Sequence, residues 1–177
     1  MKLKAIIILG CVFICLLYVL LFFLRHDTPK VNKTTIRVVK VSERAKLVEK
    51  IKEWEQFRGT PYKLGGHYYI GYGHLTKNVK TKISKAGADS LLQIDIAEKL
   101  LFIRGLELNL KPNQELALAS LLFTIKPADF FDSELFIDLV GGYPITYDWL
   151  SFCHFKGKPN DILLQRRAYE INLFNTK

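Results

Sequence analysis

Among the side chains able to exchange a proton, Glu55 stands apart by its surroundings. It opens the stretch EQFRGTPYKLGGHYYIGYGHL (residues 55–75), and the next carboxylate along the chain is Asp89. Between the two lie Tyr62, Tyr68, Tyr69 and Tyr72, the histidines His67 and His74, and glycines at 59, 65, 66, 71 and 73. Upstream, Leu47, Val48, Ile51 and Trp54 recur at helical spacing and form one apolar face, with Glu55 at its edge four residues after Ile51. A carboxyl on such a shoulder is partly desolvated, which favours its protonated form. The chemistry open to it is general acid catalysis near neutral pH.

The elements that must hold this carboxylate are legible in the pattern. Ser42 is placed to cap a helix, with Glu43 in its first turn, and the helix ends at Glu55. Gly59, Pro61, Gly65 and Gly66 break it. His67 to His74 alternate like a pair of strands, with Gly71 and Gly73 permitting tight turns or the close approach of a ligand. Leu91, Leu92, Ile94, Ile96, Leu100 and Leu101 predict a long helix starting near Ala86. Lys111-Pro112-Asn113 marks a break, and Gln114 to Ile125 (QELALASLLFTI) is apolar on nearly all sides, as a helix in the middle of a domain is. Further helices are predicted over Asp132–Val140, Ile145–Cys153 and Asp161–Phe174. One short β element followed by many helices makes an α+β domain.

The N-terminus is of another kind. Residues 5–24 carry no charge and consist mostly of Ile, Leu, Val and Phe, and twenty helical residues span ~30 Å, the thickness of a bilayer core. A cleaved signal peptide has an apolar region of ~7–15 residues, and Leu24-Arg25-His26 is a poor cleavage site. Ile8-Leu9-Gly10-Cys11 resembles a lipobox, yet only five apolar residues precede Gly10. An uncleaved signal-anchor helix is the better reading. Basic residues lie on both sides of it (Lys2 and Lys4; Arg25, Lys30 and Lys33), so charge bias sets no orientation. Residues 25–41 are basic and lack a helical period, a tether reaching at most ~55–60 Å. The chain divides into a transmembrane segment 1–24, a basic linker 25–41 and a domain 42–177.

The net charge is +9, which suits a polyanionic surface. The Lys and Arg residues are scattered and no nucleic-acid module is recognisable, so nucleic acid is not the expected partner. Cys11 and Cys15 fall in the apolar segment and Cys153 stands alone in the domain, which excludes a disulfide framework there. No metal or cofactor is expected.

Four pieces of this sequence, taken in order, resemble the phage-type lysozymes of glycoside hydrolase family 24. Glu55, Tyr62 and Tyr69-Ile70-Gly71-Tyr72-Gly73-His74 follow that family's Glu, Tyr and Thr-Ile-Gly-x-Gly-His. Leu110-Lys111-Pro112-Asn113-Gln114 with Ala117-Leu118 resembles its central helix, Phe123-Thr124 stands where the family has Phe-Asn, and Trp149 fits a late tryptophan. Asp161 to Glu170 (DILLQRRAYE) follows its closing helix. The resemblance covers roughly residues 44 to 175. It implies a small β-hairpin lobe and a mainly helical lobe with a cleft between them, and cleavage of peptidoglycan between N-acetylmuramic acid and N-acetylglucosamine.

The match fails at one point. The family's catalytic set is a Glu, an Asp nine residues later and a Thr six after that. Glu55 matches the Glu, but nine residues on stands Leu64, and Tyr69 holds the Thr position at a spacing of fourteen, one residue short. Cleaving a glycosidic bond ordinarily takes an acid for the leaving oxygen and a second carboxylate as base or nucleophile, and general-base assistance alone is worth ~10²–10⁴-fold. A single Glu suffices where the substrate supplies the nucleophile, as the C6 hydroxyl of muramic acid does in lytic transglycosylases.

The resemblance and the residues together make Glu55 and Tyr69 the catalytic candidates. Tyr62, Tyr68, Tyr72, His74 and Gln114 are the substrate-binding candidates. Arg166, Arg167 and Glu170 are expected to form a structural ion network and Trp149 to lie in the core. The expected role is membrane-anchored peptidoglycan cleavage, by hydrolysis or transglycosylation, for local wall remodelling near an envelope-spanning secretion or conjugation machinery. The domain would then face the periplasm or cell wall from the inner membrane. The alternative is a catalytically silent domain that binds peptidoglycan or a partner protein.

Overall fold

The computed structural model describes residues 41–176, so the apolar segment 1–24 and the linker up to residue 40 lie outside the described residues. Among the described residues no helix is long and apolar enough to cross a membrane. Helix α1 (Val41–Glu55) buries Leu47, Val48 and Ile51, the face its periodicity marks. Its exposed face carries Lys–Glu pairs one turn apart, Lys46–Glu43, Lys50–Glu53 and Lys52–Glu49, each worth a few tenths of a kcal/mol. Gln56 takes a left-handed backbone (φ 55°) and turns the chain into the sheet directly after Glu55.

The sheet has three antiparallel strands in sequence order: β1 (Arg58–Leu64), β2 (His67–Gly71) and β3 (His74–Thr76). Strand β1 runs through Gly59 and Pro61, residues the sequence marks as breakers. The ladder shifts between Arg58 and Tyr62, so the residue without an N–H falls in an irregularity where no ladder donor is needed. Leu64 pairs with His67 across Gly65 (φ 56°) and Gly66 (φ 87°). Two central residues at positive φ are what a two-residue type I′ hairpin requires, and its twist matches that of the strands.

Helix α2 (Lys85–Gly105) starts as predicted, with Ser84 Oγ accepting from the Gly87 N–H, and buries Ala88, Leu92, Ile96, Leu100 and Ile103. It leads from the sheet into the helical lobe. Helix α3 (Pro112–Leu121) is buried along every residue from Leu116 to Leu121, the all-round apolar helix its composition implies. Its N-terminus is Pro112 itself, since a proline at the first helical position loses no hydrogen bond. Four short elements follow: α4 (Pro127–Phe131), α5 (Glu134–Gly141), α6 (Thr146–Leu150) and a small hairpin of β4 (His154–Phe155) and β5 (Lys158–Pro159). The helix expected to run on to Cys153 stops at Leu150, because the chain must turn into that hairpin. Helix α7 (Asp161–Asn175), capped by Asn160 Oδ1, packs along α3 and closes the lobe. Phe130, Leu135, Trp149 and Leu173 fill the core around α3; each large apolar side chain so buried stabilises the lobe by ~1.5–3 kcal/mol.

Candidate active site

A cleft of about 530 Å³ has Glu55 among its lining residues. The sheet contributes Tyr62, Leu64, Tyr69 and Gly73, and the helical lobe contributes Phe123 to Ile125, Asp129, Leu163 and the turn from Ser151 to Phe155. Glu55 is the last residue of α1, held where the helix meets the sheet. Its Oε1 accepts a hydrogen bond from Arg166 Nη1 at 2.8 Å. Its Oε2 faces Gly73, where a Cβ would stand 3.4 Å from that oxygen. One oxygen is pinned and the other is kept unobstructed by a glycine whose φ of 85° also suits the turn.

Arg166 is buried, 2% exposed. Its Nη2 donates to the Ser120 carbonyl at 3.0 Å, its Nε reaches Glu170 Oε1 at 3.3 Å, and its guanidinium lies 4.9 Å from the Trp54 ring centre. Glu170 in turn accepts from Ser120 Oγ (2.6 Å), Trp149 Nε1 (2.9 Å) and Arg167 Nη2 (2.9 Å). Arg167 Nε also lies 2.7 Å from Glu170 Oε2, but without hydrogen-bond geometry, so that contact is coulombic. Burial pushes the Arg167 guanidinium down and the Glu170 charge opposes this, although arginine stays protonated throughout the accessible range. Two arginines are thus balanced by Glu170 and Glu55. This corrects the expectation of an apolar seat: Glu55 is the outward-facing member of a buried ion network, tied to the guanidinium that anchors it.

Tyr62 and Tyr69 sit opposite each other on β1 and β2, their ring centres 5.9 Å apart, with the Arg58 guanidinium 4.2 Å from the Tyr62 ring. Burial foremost, and then the charge of Glu55, pushes the Tyr62 hydroxyl up, so it remains a neutral donor. Leu64, nine residues after Glu55, lines the same cleft and is 56% exposed.

The other expected binding residues are placed elsewhere. Tyr68 alternates to the opposite face of β2 from Tyr69, under the Lys63 ammonium, and does not line the cleft. Tyr72 is 8% exposed and packs on Phe57 in the core. His74 Nδ1 is 2.9 Å from Asp95 Oδ1 and ties β3 to α2. Burial raises the Asp95 carboxyl and the His74 hydrogen bond partly offsets this. Gln114 Oε1 accepts from the Lys111 N–H at 2.8 Å, capping α3, and borders a different hollow with Leu139 and Tyr143. The structure brings Glu55, Tyr62 and Tyr69 together and gives Tyr68, Tyr72, His74 and Gln114 other tasks.

Several cleft residues carried no sequence signal. Asp129, His154 and Phe155 arrive from short elements far along the chain from Glu55, with no motif around them. Among the described residues no cluster of His, Cys, Asp and Glu is arranged to hold a metal ion.

A three-stranded sheet, a helical lobe wrapped on one buried helix, and a glutamate at the end of the first helix define a lysozyme-like α+β domain. The profile of the phage lysozyme family matches residues 52–170, and the chain belongs to this family of glycoside hydrolases. Among solved structures it is similar to the muramidase domain of SpmX from Asticaccaulis excentricus, with 28% identity, a TM-score of 0.66, and coverage of 75% of this chain and 96% of that one. It is also similar to a P22 lysozyme, with 25% identity, a TM-score of 0.59, and coverage of 75% and 97%. An endolysin from Escherichia coli O157:H7 phage FAHEc1, 21% identical at a TM-score of 0.60 over 73% of this chain and 90% of that one, shares the fold. A comparison with curated protein sequences gives no match.

Proposed function

We propose that this domain cleaves the glycan strands of peptidoglycan, with Glu55 as the acid that protonates the leaving oxygen. The observation that carries the reading is the asymmetric seat of Glu55. Arg166 holds Oε1, while Oε2 lies beside Gly73, and both Glu55 and Gly73 line the cleft. An acid positioned in this way donates its proton along one fixed direction, which is worth more than a mobile one. Tyr62 and Tyr69 supply aromatic surface and hydroxyls for a sugar ring beside it. The net charge of +9 favours a polyanionic wall. Anchored through residues 5–24, the domain would trim the wall locally beside a membrane-embedded machine, on the periplasmic or wall side.

A second reading, a domain that grips glycan or a partner protein without cutting, is favoured by the lack of an Asp nine residues after Glu55, where Leu64 stands. Dye-labelled peptidoglycan incubated with the full chain and with Glu55→Gln separates the two. Dye release by the parent, reduced at least ~100-fold in the variant, supports cleavage. Co-sedimentation of both proteins with intact material, and no release by either, supports binding alone.

A further inference from the structure

We propose that Asp129 supplies the second carboxylate of the reaction, from the helical wall of the cleft instead of from the sheet. This rests on the cleavage reading and deepens it, because it names the group that activates water and so makes the reaction a hydrolysis.

Among the residues lining the cleft, Asp129 is the one carboxylate besides Glu55. It is also free to act. Glu170, Asp95 and Glu115 are each engaged by a cation or a hydrogen-bond donor, whereas among the described residues no hydrogen bond or ion pair engages Asp129. Its backbone is fixed by its neighbours. Pro127 starts α4, the next residue Phe130 is fully buried, and the Phe130 N–H bonds the Lys126 carbonyl at 3.1 Å. The Asp129 backbone is thereby fixed at the cleft wall, while its side chain is exposed.

The placement suits the chemistry. Glu55 and Tyr69 border the cleft where it meets the sheet, and Asp129 borders it beside Phe123 and Ile125 of the helical lobe. The proposal requires a sugar ring seated between the acid and the second carboxylate with a water on the far face, the arrangement of an inverting displacement. In that step the Glu55 carboxyl gives its proton to the glycosidic oxygen as the C1–O bond breaks and its electron pair goes to that oxygen. Asp129 takes a proton from water as the water oxygen bonds to C1. One water is consumed, Glu55 ends ionised and Asp129 protonated, and solvent returns the proton.

The test uses the purified full chain, peptidoglycan in water enriched in ¹⁸O, and the variants Asp129→Asn, Asp129→Glu and Glu55→Gln. Asp132→Asn, an exposed carboxylate at the end of α4 that does not line the cleft, is the control. The proposal predicts reducing-end products carrying ¹⁸O from the parent, and a kcat loss of at least ~100-fold in Asp129→Asn with KM changed less than about threefold. Partial activity in Asp129→Glu and parental activity in Asp132→Asn are expected, with unchanged thermal unfolding for each. Since the ionised base is the active form, the acid limb of the parent's pH–rate profile should be absent in Asp129→Asn. Parental kcat in Asp129→Asn, a change confined to KM, or loss in His154→Asn instead would overturn the assignment while leaving Glu55-dependent cleavage standing. Exclusively anhydro products without ¹⁸O would do the same. No product from the parent at all would overturn both.

Discussion

At Glu55 the decisive neighbours are a guanidinium and a glycine, not the apolar face that brings the residue into place. The sequence marks the carboxylate by its family position, and by the helical period of Leu47, Val48 and Ile51 that ends beside it. It cannot mark Arg166, which lies 111 positions away and meets Glu55 only because α7 packs beside the end of α1. Leu64 is the complementary case. The sequence shows no Asp nine residues after Glu55, and the structure shows Leu64, which stands there, half-exposed on the cleft wall. A site so open should tolerate a charge. Leu64→Asp is expected to change stability by no more than ~0.5 kcal/mol. In the Asp129→Asn background it should return at least about tenfold of the lost turnover by restoring a base on the sheet side. A double variant as slow as Asp129→Asn alone would show that position 64 cannot reach the reacting carbon.

At the scale of elements, the hairpin lobe departs from its sequence pattern in its first strand. Gly59 and Pro61 read as breakers, yet they belong to β1, because pairing with β2 resumes at Tyr62 after an irregularity that needs no proline N–H. The alternation from His67 does place Tyr69 on the cleft side, and by the same alternation sends Tyr68 to the other face. It cannot reveal that Tyr72, just past the strand, folds into the core under Phe57. Gly73 links this element to the chemistry. Gly73→Ala would force a side chain onto a φ of 85° and bring its Cβ to 3.4 Å from Glu55 Oε2. The expected result is a stability loss of ~1–2 kcal/mol by thermal unfolding and a kcat about tenfold lower, since small displacements of a catalytic group are costly. Loss of stability with unchanged kcat would show that Gly73 serves only the turn.

At the scale of the whole molecule, one buried ion network joins α1, α3, α6 and α7 and ends in the cleft. The sequence supplied its members Arg166, Arg167 and Glu170 as a structural set. Their burial, and the attachment of Ser120, Trp149 and Glu55, required the packed helices. The all-round apolar composition of α3 made the centre of the lobe legible, whereas the short helix α4 and the β4–β5 hairpin carry too few residues for a period. That is why the helical wall of the cleft, with Asp129 and Phe155, went unseen. Removing one partner of a buried pair leaves an uncompensated charge, so Glu170→Gln should destabilise the domain by ~3–5 kcal/mol in chemical denaturation. A loss under ~1 kcal/mol would mean that the arginines find solvent or other partners. Glycan cleavage by this domain depends on Glu55. Mass spectrometry of the soluble fragments released from purified peptidoglycan tests it most directly. The prediction is disaccharide-peptides with reducing ends from the full chain and none from Glu55→Gln. Equal fragment yields from both, or none from either, would contradict it.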